Sequence, residues 1–177
     1  MNHRFLHTHT KRPTAVLLTV FLLSVLVLSA CGGSSDEASS GSSVDDLTLD
    51  VQQLASDLRS ELVFQDDLEA VEPAVFSMLY GLDETAADEA ALFAGTGATA
   101  EEIAVIHAAS ADQMDAVVDA VQQRIQSQRD GFENYVPEEL TKLEQPVVVQ
   151  AGQYAILVIS DDNDAAKNAI DAHLTGE

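Results

Sequence analysis

Apolar positions fall into three regimes along the chain. From Ala15 to Leu28 the residues are almost wholly aliphatic, broken by Thr19 and Ser24. From Gly32 to Ser43 there is no apolar periodicity, only Gly, Ser, Ala and two acids. From about Leu47 onward apolar residues recur with the periods of folded elements. Val51, Leu54, Leu58 and Leu62 have helical spacing, and Asp50 or Thr48 is placed to cap that helix. A second helix is expected over Val71–Tyr80, with Pro73 in its first turn and Gly81 at its end.

Two runs follow that pair as strands, the alanine-rich Asp88–Ala94 and the more β-like Ile103–Ala108, with Gly95-Thr96-Gly97 as a turn between them. Ser110–Asp130 is the strongest helix. Ser110 and Gln113 have capping-box spacing, Met114, Val117, Val118, Val121, Ile125 and Phe132 form one stripe, and Gly131 stands at the expected stop. A short turn is expected at Pro137–Leu143. Val147–Gln150 and Tyr154–Ser160 then read as strands joined by the two-residue loop Ala151-Gly152. Along the second strand Tyr154, Ile156 and Val158 alternate with Ala155, Leu157 and Ile159, a pattern in which both faces are partly covered. Ala165–Leu174 closes the chain as a helix. The order implies an α+β fold: an antiparallel sheet of about four strands in two hairpins, helices packed mainly on one face, and N-terminal helices before it.

The first two regimes bear on location. Arg4, Lys11 and Arg12 precede the aliphatic run, and the small residues Ser29 and Ala30 follow it, directly before Cys31, the single cysteine. A charged start, an apolar core and small residues at the cut site make a secretory signal. A cysteine just after the cut makes it a lipoprotein signal, with the thiol carrying a diacylglyceryl group. Ala15–Ala30 is 16 residues, short of the roughly 20 that a helical span needs. Two acyl chains anchor stably where one is marginal. The expected organisation is a signal peptide over 1–30, a lipidated Cys31 with a Gly/Ser-rich tether over 31–46, and one domain over 47–174. The expected location is the extracytoplasmic face of the cell membrane.

Charge narrows the partners. The chain has eight Lys and Arg against 30 acids, a formal charge of −22. None of the acids lies in the leader, so the processed chain is more negative still. Such a body is repelled by nucleic acid and by anionic lipid, so no nucleic-acid partner is expected and the lipid must hold the protein at the membrane. Tryptophan is absent, which argues against a stacking platform for sugars or bases.

Four landmarks carry a family resemblance: Leu79-Tyr80-Gly81-Leu82-Asp83; Ala100-Glu101-Glu102-Ile103-Ala104-Val105; Arg124 through Gln128 to Phe132 with Asn134-Tyr135-Val136-Pro137-Glu138-Glu139; and Gly152-Gln153-Tyr154 with Leu157-Val158-Ile159-Ser160-Asp161. In this order, after a lipobox and a polar tether, they resemble the bacterial lipoproteins grouped as domain of unknown function 4358. His107 is a small departure from the pattern. The resemblance spans about Leu47–Leu174 and implies an envelope lipoprotein. It implies no reaction.

Motifs for chemistry are sparse. Asp161-Asp162-Asn163-Asp164 lacks the glycine and distal glutamate of a calcium loop, and reads as the acidic start of a helix. His107 and His173 have no partner at zinc-ligand spacing. No nucleophile elbow or phosphate loop occurs, and no metal, cofactor or catalytic set is expected. The candidate binding or structural corner is Arg124, Gln128, Tyr135 and Glu138. Gln128 falls in the same helical arc as Val121 and Ile125, with Arg124 at its margin. Arg124 is expected to pair with Glu138 or Glu139, clamping the Tyr135–Pro137 turn to the helix. The function expected is a non-enzymatic binding or adaptor module with an envelope protein as partner. The alternatives are a cell-envelope enzyme acting on cell-wall material and, ranked last, a solute-binding component.

Overall fold

The computed structural model describes residues 47–83 and 85–176; the leader, Cys31 and the tether lie outside the described residues. Among the described residues the first element is helix α1 (Val51–Glu61), followed by the two-residue strand β1 (Glu69–Ala70) and helix α2 (Pro73–Tyr80). The hairpin of β2 (Ala87–Ala94) and β3 (Glu102–Ala108) leads to the long helix α3 (Met114–Phe132), then the short α4 (Leu140–Glu144). A second hairpin, β4 (Val147–Ala151) and β5 (Tyr154–Ile159), precedes the last helix, α5 (Asn163–Thr175). The strands form one antiparallel sheet in the order β1-β2-β3-β5-β4. The fold class is α+β, with five strands rather than about four. The added strand, β1, pairs only Glu69 with Ala94 and Ala70 with Phe93. Two exposed residues are too short to show a period.

The expectation of helices mainly on one face is corrected. Ala104, Ile106 and Ala108 of β3 and Ala155, Leu157 and Ile159 of β5 meet side chains from α2, α3 and α4. The alternate residues, Ile103, Val105, Tyr154, Ile156 and Val158, meet Val51, Leu54 and Leu58 of α1 and Ala166 and Ile170 of α5. The helices therefore sandwich the sheet, and β5 is buried along its whole length. Burying each such Leu, Ile or Val contributes about 1.5–3 kcal/mol. A strand apolar at every position needs cover on both sides, and the alternation within Tyr154–Ile159 already carried that signal.

Local chemistry sets the boundaries. The Asp50 carboxylate caps α1 by accepting from the Gln53 N–H at 2.9 Å. Pro73 opens α2, and Gly81 ends it in the left-handed region at φ 63°. The Asp162 side chain caps α5 by accepting from the Ala165 N–H, the helix-start role expected for that acidic run.

Three local expectations change. Ser110 makes no side-chain cap; α3 is entered instead through a 3-10 turn at Ala111–Gln113. Gly131 does not stop α3, which continues through Phe132 so that its ring reaches the core. The second hairpin pairs Ala151 with Tyr154, so its loop is Gly152-Gln153, with Gly152 at φ 55°. In the first hairpin, Asp66 accepts from the N–H and the hydroxyl of Thr96 at 2.7 and 2.8 Å. A Cβ at Gly95 would lie 2.5 Å from that carboxylate, so any larger residue there would push Asp66 away from Thr96.

Candidate functional site

Two consecutive carboxylates, Glu101 just before β3 and Glu102 at its start, are only 2% and 0% exposed. A strand sends successive side chains to opposite sides, so each has its own set of partners. Buried carboxylates are costly unless paired and hydrogen-bonded, and both of these are.

Glu102 faces α3. The Arg124 Nε donates to both of its oxygens at 3.1 Å, and Nη2 donates to Oε2. Gln128, one turn further along α3, donates its amide to Oε2 at 3.0 Å. From α2 the Tyr80 hydroxyl donates to Oε1 at 2.7 Å. Burial, then the Glu102 charge, holds the Tyr80 phenol well above its ordinary value. Burial works against the Arg124 cation, but the hydrogen bond and charge of Glu102 outweigh it and raise its pKa.

Glu101 accepts from the backbone N–H groups of Gln65 and Asp66, each at 2.9 Å from Oε2, and from the Thr99 hydroxyl at 3.2 Å. The Lys142 ammonium of α4 lies 3.3 Å from Glu101, 3.0 Å from Glu139 and 3.7 Å from Asp161. Lys142 is only 4% exposed. Burial opposes its charge, yet Glu139 and Glu101 prevail and raise its pKa. Glu139 also accepts from the Ala100 N–H at 2.8 Å. Ala100 to Glu102 is thus tied to α2, α3, α4 and the segment after α1. These polar ties join the end of the sheet to all four.

Of the corner expected from the sequence, the structure brings Arg124 and Gln128 together and leaves Tyr135 and Glu138 apart. Tyr135 is 70% exposed, and the Glu138 side chain is on the surface. Arg124 pairs with Glu102 rather than Glu138 or Glu139, because β3 lies directly beneath α3 while Glu139 turns to Lys142. Tyr80, Glu101, Glu102 and Lys142 were missed as partners. The available signal was scarcity: beyond the leader the chain has five Lys and Arg, and carboxylates at the mouth of an apolar strand compete for them.

The two histidines among the described residues each lie against a carboxylate. His107 Nδ1 lies 2.6 Å from Asp88, and its ring packs 4.5 Å from that of Tyr154. His173 Nε2 lies 3.3 Å from Glu61. No group of three or more metal-binding side chains occurs among the described residues. No described helix is long and apolar enough to cross a membrane.

Two clefts open on the α2 side. One, of about 440 Å³, runs between α2 and the first half of β2 and includes Ala74, Ser77, Asp83, Asp88 and Glu89. The other, of about 310 Å³, lies between the end of α2 and α3, beside Tyr80 and Gln123.

No curated protein and no solved structure matches the chain. A family model, Domain of unknown function (DUF4358), matches residues 61–160, more than half of the chain. That span runs from the last residue of α1 through β5 and contains the Glu102–Arg124 and Glu101–Lys142 clusters. The chain belongs to the family Domain of unknown function (DUF4358).

Proposed function

We propose that this protein is a lipid-anchored, extracytoplasmic, non-enzymatic binding module, held at the membrane through Cys31 and presenting α2 to an envelope protein. The observation that carries the binding role is the outer surface of α2. Its sequence, Pro73-Ala-Val-Phe-Ser-Met-Leu-Tyr80, is apolar almost all round. Phe76 and Tyr80 are buried, whereas Val75, Met78 and Leu79 face solvent, Met78 at 75% exposure. A contiguous exposed apolar patch with a polar rim is characteristic of an interaction site, and Met adapts readily to a partner's shape.

The buried ionisable groups support the same reading. Glu101, Glu102, Arg124, Glu139 and Lys142 are engaged with one another and with backbone groups. Their role is to hold the sheet end together. The anchor rests on the leader and the Leu28-Ser29-Ala30-Cys31 sequence.

Site-specific photo-crosslinking in intact cells tests the binding role. A photoreactive residue replacing Met78 should yield a defined protein adduct. The same group at Lys167, exposed on α5 across the sheet, should not. No adduct from Met78, or the same adducts from both positions, would remove the binding reading.

A further inference from the structure

We propose that the open edge of β2 receives an extended segment of the partner as an added strand, and that this segment carries basic side chains among apolar ones. The proposal deepens the binding reading above and rests on it. Three independent features converge at this edge.

The first is backbone geometry. β1 covers only Phe93 and Ala94, and the last backbone hydrogen bond on that side runs from the Val71 N–H to the Leu92 carbonyl at 2.8 Å. Residues two apart on a strand present their backbone to the same edge, so Ala90 faces outward as Leu92 does. Its carbonyl is met by the exposed Gln52 side-chain amide at 3.0 Å, a plug that one rotamer change removes. No strand covers Ala87–Ala91 on that side among the described residues. Such an edge is a template for strand addition.

The second is shape. The cleft of about 440 Å³ lies along this edge, floored by Ala87–Ala90 and walled by Pro73, Ala74 and Ser77 of α2. Met78, one turn on from Ala74 along α2, is an exposed apolar side chain outside the cleft lining.

The third is charge. Asp83, Asp88 and Glu89 line the cleft, and no Lys or Arg does. A second copy pairing here would set these acids against their equivalents, which is destabilising. An anionic lipid surface is repelled in the same way. A strand with basic side chains is attracted, and its apolar side chains fit the α2 wall.

The experiment uses the full chain in a nonionic detergent and reads backbone amide exchange by NMR. The probe is the peptide Lys-Val-Lys-Val-Lys-Val, compared with Glu-Val-Glu-Val-Glu-Val and Lys-Gly-Lys-Gly-Lys-Gly. Saturating Lys-Val peptide should slow exchange at the Ala90 N–H by at least about tenfold, since a paired amide exchanges only on opening. The acidic peptide should not, and the glycine peptide should do so weakly. Ala90→Pro removes that donor at an outward edge position, where proline is tolerated. Glu89→Lys reverses an exposed charge and serves as the second variant if Ala90→Pro misfolds. Glu89→Lys should abolish the protection at Ala90 with its melting temperature unchanged, and Ala90→Pro, which has no amide to read there, should lose the peptide-induced protection at its neighbours on β2.

Binding of the Lys-Val peptide without protection at Ala90 would overturn strand addition. So would protection that grows with protein concentration without peptide, which would identify a second copy as the occupant. If Met78 crosslinks to a partner but Ala90 stays unprotected, strand addition fails and the binding module stands. If neither occurs, both readings fail.

Discussion

Replacing Lys142 with methionine should lower the unfolding free energy by about 3–5 kcal/mol, the cost of removing one partner from a buried ion pair. Domains of this size have about 5–15 kcal/mol in total, so the variant should sit near the edge of folding. The ammonium is the counter-charge within 4 Å for Glu101, Glu139 and Asp161. Without it, the buried carboxyl groups of Glu101 and Glu139 lose the cation between them. Asp161 turns toward solvent, since its side chain is half exposed. Adding Glu139→Gln to Lys142→Met should recover part of the loss, because an amide costs less to bury than an unpaired carboxylate. Denaturant unfolding with circular dichroism reads both variants. A loss below about 1 kcal/mol, the range of exposed pairs, would show that Lys142 does not clamp the sheet end.

Arg124→Met should be the second most damaging change, at about 3 kcal/mol. It strips Glu102 of its counter-charge but leaves two neutral donors, the Tyr80 hydroxyl and the Gln128 amide. Glu102→Gln in the same background should restore stability, giving a double-mutant cost below the sum of the singles. Tyr80 supplies a second readout. Its raised pKa means that the folded state holds the phenolic proton at a pH where the unfolded chain, near 10.0, has lost it. That contribution is intact below about pH 10 and is lost as pH rises through the folded value. Lys142 has the same sign, because its folded pKa is also raised. Alkaline unfolding should therefore coincide with late ionisation of Tyr80, followed by its ultraviolet absorbance. In Arg124→Met the phenol loses a neighbouring cation that favours ionisation, so any folded fraction should ionise later still. A melting curve like that of the parent would make Arg124 a ligand-facing residue instead.

Elements governed by local chemistry were legible in the sequence. The cap at Asp50, the Pro73 start and Gly81 end of α2, the long stripe of α3, and the two hairpins all rest on residues within one or two turns. What failed depended on distant placement. Arg124 is near Glu138 and Glu139 in sequence, but its partner Glu102 lies 22 residues upstream, brought in by the packing of α3 over β3. Lys142 reads as a surface residue because lysine is rarely buried unless paired, and its pairing with Glu101 needs the sheet end to be assembled. The two-sided sandwich was visible in the continuous apolar run of β5. The covering role of α1 and α5 was not, because an amphipathic helix does not say which face of a sheet it will cover. The extra strand β1 has no pattern at all; Ala70 and Glu69 are placed by the turn that Asp66 and Thr96 build.

The most direct measurement is the mass of the mature N-terminus in protein taken from native membranes. The expected result is a chain that begins at Cys31 with a diacylglyceryl adduct on its sulfur, and a Cys31→Ser variant that is released or left unprocessed. A native chain that retains residues 1–30, or that begins at an unmodified Cys31, would contradict the reading of this domain as a lipid-anchored module at the membrane.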